Sequence, residues 1–170
     1  MSRSLLRAAA AGAATLLAGL VTAPPAQADI QTFSDVGGHI TSVRVSHGPR
    51  TVGITAYDTE MAIGTYYRFW IDTNPDDPGP EYKSDVYADS DGLDLMKVAN
   101  FNSSGIRFAC AGLDAIAGTE GPEYAKIIVP RSCIGAPGRV RVAVVGYYDE
   151  NPDVVDWAPG EERFYPWVNR

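Results

Sequence analysis

The chain has 170 residues, with 14 lysines and arginines against 21 acids and a net charge of −7. That length suits one domain with a real core. The acidic balance, without any basic run, argues against nucleic acid or an anionic membrane as a partner.

The first residues are expected to set the compartment. Arg3 and Arg7 flank the start of an apolar, alanine-rich run from Leu5 to Val21, and Pro24-Pro25-Ala26-Gln27-Ala28 ends in an A-x-A site before Asp29. This is the three-part layout of a secretory signal peptide. Gly12 and Gly19 interrupt the run, whereas a membrane span wants about 20 strongly apolar residues. Residues 1–28 are therefore read as a cleaved signal peptide, and 29–170 as one secreted, extracellular domain. No cysteine sits at the end of the signal for lipid attachment. Cleavage would remove Arg3 and Arg7 and no acid, leaving the exported chain more acidic still.

The periodicity of that domain is two. Val43 and Val45 alternate with Ser42, Arg44 and Ser46; Val52, Ile54 and Ala56 alternate with Gly53 and Thr55. Tyr67, Phe69 and Ile71 alternate with Tyr66, Arg68 and Trp70. Tyr82–Tyr87 and Leu93–Asn100 are weaker strand candidates, and Ile106–Ala117 reads as strand and turn because Cys110, Gly112 and Gly118 spoil a helix. Ala125, Ile127 and Val129 form a further strand stopped by Pro130, and Val140, Val142 and Val144 another. Each pattern gives a strand one apolar face. Turn signals such as Gly48-Pro49, Pro78-Gly79-Pro80, Gly121-Pro122 and Ala136-Pro137-Gly138 separate the runs. About eight antiparallel strands with such turns predict an all-β, jelly-roll-like sandwich, with a barrel as the alternative.

Only two cysteines exist, Cys110 and Cys133. In an exported chain they are expected to form a disulfide, contributing roughly 3 kcal/mol by loop-closure entropy. No histidine lies near either in sequence to suggest a catalytic thiol, and zinc wants three or four such ligands.

Two acidic segments invite a metal. Asp72, Asn74 and Asp76 stand two apart, as at the start of an EF-hand loop, but Asp77 replaces its glycine and Lys83 its bidentate glutamate. An irregular calcium loop or a solvated turn remains. Asp89, Asp91 and Asp94 form a second short cluster with the same two readings. The aromatic residues Tyr66, Trp70 and Trp157 are candidates for a sugar-stacking platform, the alternative being core packing. No catalytic motif is present: there is no G-x-S-x-G, no H-E-x-x-H and no phosphate-binding glycine loop.

Tyr67-Arg68-Phe69-Trp70-Ile71-Asp72-Thr73-Asn74, Pro80-Glu81-Tyr82 and Val129-Pro130-Arg131-Ser132-Cys133-Ile134-Gly135 resemble a family of small secreted bacterial β-sandwich proteins of uncharacterised function. The wider pattern is similar to the DOMON and family-9 carbohydrate-binding sandwiches. That resemblance implies a module that binds sugar, haem or calcium and is usually not catalytic. Met61 and Met96 lack the context of a haem ligand. The expectation is a secreted, monomeric, non-enzymatic binding module, carbohydrate-binding with a structural calcium ion. The alternatives are a protein-interaction or inhibitor module, and a hydrolase built on an unrecognised carboxylate pair.

Overall fold

A computed structural model describes residues 28–62, 64–88, 90–118, 122–148 and 155–170. The expected signal peptide falls, except for Ala28, outside the described residues. Twelve strands are found among those described, where about eight were expected: β1 (Asp29–Ser34), β2 (Ile40–His47), β3 (Thr51–Asp58), β4 (Tyr66–Asp72), β5 (Tyr82–Tyr87), β6 (Ser90–Lys97), β7 (Ile106–Phe108), β8 (Asp114–Gly118), β9 (Glu123–Pro130), β10 (Arg139–Tyr147), β11 (Val155–Ala158) and β12 (Val168–Asn169). A 3₁₀ turn, Arg131–Ile134, follows β9.

The strands form two antiparallel sheets, so the fold is a β-sandwich. One runs β1-β2-β3-β9-β8; the other runs β11-β10-β4-β5-β6-β7, with β12 also paired to β10. The apolar members of the alternating runs meet between them. Val43, Val45, Val52, Ile54, Ala56, Ala125, Ile127 and Val129 from the first sheet are fully buried, as are Tyr67, Phe69, Ile71, Val140, Val142 and Val144 from the second. A strand's side chains alternate in direction, so this one-faced burial follows from the period of two.

The extra strands are those whose pattern is weak. In β1 the apolar Ile30 points out while Asp29 and Gln31 are half-buried, so its alternation is inverted. Only Phe33 carries apolar packing inward, stacking on Tyr165 with ring centroids 4.7 Å apart. β11 and β12 have four and two residues, too short for a periodic signal. The candidate Leu93–Asn100 is instead β6, three residues earlier at each end, and Ile106–Ala117 divides into β7 and β8.

Cys110, just beyond β7, and Cys133, in the 3₁₀ turn, form the expected disulfide with Cα atoms 5.7 Å apart. It ties the end of the seven-stranded sheet to the corner of the other. Arg131 holds that corner from within, donating to the carbonyls of Pro49, Ala136 and Pro137. A buried carboxylate fixes the opposite end. Asp58 accepts from the hydroxyls of Tyr67 at 2.8 Å and Tyr148 at 2.5 Å. Gly146 permits this, because the Tyr148 phenol occupies the place of a Cβ there.

His47 is fully buried beneath β12, with Nδ1 3.2 Å from the carbonyl of Val168. Nδ1 donates there when the ring is neutral in that tautomer. Burial holds the imidazole below its ordinary pKa of 6.5, and the charges of Arg131 and Arg170 push the same way. A depressed folded pKa means stability that is complete above pH 6.5 and is lost as pH falls through the folded value. Burial raises the Asp35, Asp72 and Glu81 carboxyls; that shift has the opposite sign and favours the folded chain on acidification. Between pH 7 and 5 these two effects oppose one another, and His47→Gln, which does not titrate, separates them. By scanning calorimetry its unfolding temperature should fall less, or rise more, over that window than that of the unsubstituted chain.

Candidate functional site

β4 lies between β10 and β5, and its second face carries Tyr66, Arg68, Trp70 and Asp72. Each meets a partner set by register. Tyr66 stands between Tyr147 and Tyr87, Arg68 between Val145 and Asp85, and Trp70 between Ala143 and Lys83; Asp72 stands opposite Arg141. Directly opposed side chains are close enough to interact.

Charges on this face are consumed in pairs. Arg68 grips Asp85 with two hydrogen bonds, Nε at 2.7 Å and Nη2 at 2.9 Å. The bidentate bond holds the guanidinium above its ordinary pKa against the opposing effect of burial. Lys83 is buried and donates to the carbonyl of Ser103 at 2.8 Å, with Nζ 5.3 Å from the Trp70 ring centre. Burial lowers the pKa of this ammonium, and the nearby Arg68 lowers it further.

A groove of about 620 Å³ opens over this surface. Its floor is Arg68, Asp85, Trp70 and Lys83; Tyr147 and Trp157 form one wall, Phe101–Ser104 the other, and Glu161 and Glu162 the rim. Asn102 crosses to Glu162 with a hydrogen bond of 3.2 Å. Donors and acceptors therefore alternate with aromatic surface along one open trough.

Of the three expected sugar-stacking residues, Trp70 and Trp157 line this groove, and Tyr66 lies beside it behind Tyr147. They do not form an exposed platform. Trp70 is 1% exposed, covered edge-on by Phe101, and its indole N–H is buried without a partner among the described residues. Tyr66 spends its ring faces on neighbours, stacking on Tyr147 at 4.4 Å and on Tyr87 at 5.1 Å. Trp157 is half-buried, packing on Phe101. The arrangement is that of the core-packing alternative: β4 is central, and the loop through Phe101 and the tail through Phe164 cover its outer side.

The expected metal ligands are used otherwise. Asp72 is buried, and its Oδ2 accepts from Nε and Nη2 of Arg141, both at 2.6 Å. Its Oδ1 accepts from the backbone of Asn74, whose own Oδ1 accepts from the backbone of Asp76. The segment is a pair of Asx turns seated on an ion pair. Asp94 pairs with Arg107 at 2.8 Å. Asp89 and the side chain of Asp91 lie outside the described residues. Among the described residues, no three of His, Cys, Asp and Glu come together as a metal site. Burial raises the pKa of Asp72 and Glu81, yet neither lines the groove, so no hydrolytic step is assigned to that pair.

Sequence reasoning passed over Arg68 and Phe101 as site residues, and read Asp85 and Lys83 only in relation to metal loops. The signal for Arg68 was a cation alternating with tyrosine and tryptophan in the strongest strand. Such a charge, if covered, must be paired. Its partner is 17 residues on and emerges only with the β4–β5 register.

Comparison with protein-family models gives no match, and neither does comparison with curated proteins. The site is therefore interpreted from its own geometry.

Removing Arg141 would leave Asp72 charged, buried and alone, which costs about 3–5 kcal/mol. Urea unfolding of Arg141→Met should show a loss of that order. The double variant with Asp72→Asn should recover part of it, because no uncompensated charge remains.

Proposed function

We propose that this is a secreted, non-enzymatic binding module whose outer-face groove takes a carbohydrate. The observation that carries the reading is the donor and acceptor set of the groove, Arg68 and Asn102 beside Asp85, Glu161 and Glu162, walled by Tyr147 and Trp157. Sugar hydroxyls both donate and accept, and their C–H faces pack on aromatic rings. Cations and carboxylates at close range suit such a ligand better than a strongly charged one, which would meet repulsion from one sign or the other.

The groove is largely pre-formed. Arg68 and Asp85 fix one another, Lys83 is anchored on Ser103, and Asn102 ties the Phe101 loop to Glu162. Little side-chain entropy is then lost on binding.

The test is an oligosaccharide array followed by calorimetric titration of the best glycan. Trp157→Ala should weaken binding about tenfold, equivalent to ~1.4 kcal/mol, and Glu161→Gln should weaken it less. Lys126→Gln, on the opposite sheet, should leave affinity unchanged. A glycan bound equally well by Trp157→Ala, or no glycan retained at millimolar concentration, would remove the proposal.

A further inference from the structure

The two sheets differ in width along one side. β8 ends the five-stranded sheet and packs over β5, while the other sheet continues through β6 and β7. Among the described residues, no strand of the five-stranded sheet packs comparably on that overhang. The result is a cleft of about 880 Å³ between β8 and the inner faces of β6 and β7. Leu93, Leu95, Phe108, Leu113, Ala115 and Ala117 line it. One end is closed where the chain crosses from β7 to β8 at Cys110, stapled to Cys133.

Among the described residues nothing covers the edge above this cleft. There β8 pairs only with β9, in unbroken register from Asp114 to Gly118, so its other side offers backbone N–H and C=O groups unpaired by any described strand. Edge strands are normally blunted by lysine, proline, bulges or shortness. Asp-Ala-Ile-Ala-Gly contains neither lysine nor proline. Its inward residues, Ala115 and Ala117, are small, which leaves the room in the cleft. Ile116 on the outer face is 42% exposed, and Asp114 at the start of the strand has no hydrogen-bond or ion-pair partner among the described residues.

The overhang also selects the occupant. A second copy pairing through its own β8 would bring its own β5 beneath that strand, into the space that β6 and β7 already fill. A lone strand meets no such obstacle. We infer that β8 and this cleft take an extended segment of a partner protein as a sixth strand of the five-stranded sheet. Backbone pairing to β8 supplies affinity, and side chains at alternate positions supply specificity. The cleft calls for bulky apolar residues at the inward positions. Asp114 calls for a lysine or arginine at the end that meets it, in keeping with the acidic chain. This site is separate from the groove, so either can fail alone.

The probe is a synthetic peptide alternating leucine with threonine and ending in lysine; the control has the same composition with its leucines adjacent. Amide hydrogen exchange of the protein should slow at residues 114–118 with the alternating peptide and not with the control. Asp114→Lys should lower affinity about threefold or more at low salt, with the effect shrinking as salt rises. Protection confined to the outer-face groove, or none at millimolar peptide, would overturn the inference. Protection that appears with rising protein concentration alone would assign the edge to a second copy and overturn it equally.

Discussion

Strand β4 is largely covered on both faces, and the rest of the architecture answers to that fact. Its inner residues Tyr67, Phe69 and Ile71 build the core between the sheets. Its outer residues are covered in turn, Trp70 by Phe101 and Tyr66 by two flanking tyrosines. A charge on such a strand cannot stay hydrated, and an unpaired charge away from water costs several kcal/mol. Arg68 and Asp72 are therefore bound to Asp85 and Arg141. The same pressure places Lys83 on the Ser103 carbonyl, which positions the Phe101 loop.

The groove is the remainder of that covering. Phe101 and Phe164 close over Trp70, but the row of Arg68, Asp85 and Trp157 is left partly open. Paired charges next to aromatic edges thus follow from the packing of a central strand before any ligand is considered. A ligand site at this place costs little extra, because its polar groups are already oriented. The cleft beside β8 has a different origin. It follows from unequal sheet widths, with the disulfide holding the β7–β8 crossover in place at its closed end.

The core was legible because it rests on period alone. Every apolar residue of the four strongest alternating runs is buried where the alternation puts it. The disulfide was legible because two cysteines allow one pairing. For Trp70, Trp157 and Tyr66 the sequence left two readings, an exposed platform or core packing. A strand's second face looks the same in sequence whether water or a loop covers it, and the covering residue Phe101 comes from 31 positions beyond Trp70. Asp72 has two readings for a related reason. Acids two apart supply oxygens for an ion or for the backbone with equal ease, and the pairing of Asp72 with Arg141, 69 residues away, leaves no mark in the sequence. The edge strands escaped for lack of a signal: the alternation of β1 is inverted, and β11 has four residues, too few for a period.

The most direct test of this account is the accessibility of the Trp70 indole. With Trp157→Phe and Trp167→Phe, Trp70 is the sole tryptophan. Its fluorescence should be blue-shifted and nearly untouched by acrylamide, and Phe101→Ala should make it quenchable while the far-ultraviolet spectrum stays that of the folded sandwich. A Trp70 quenched like free indole in the presence of Phe101 would mean that β4 has an open outer face, and the pairing of its charges would lose its cause.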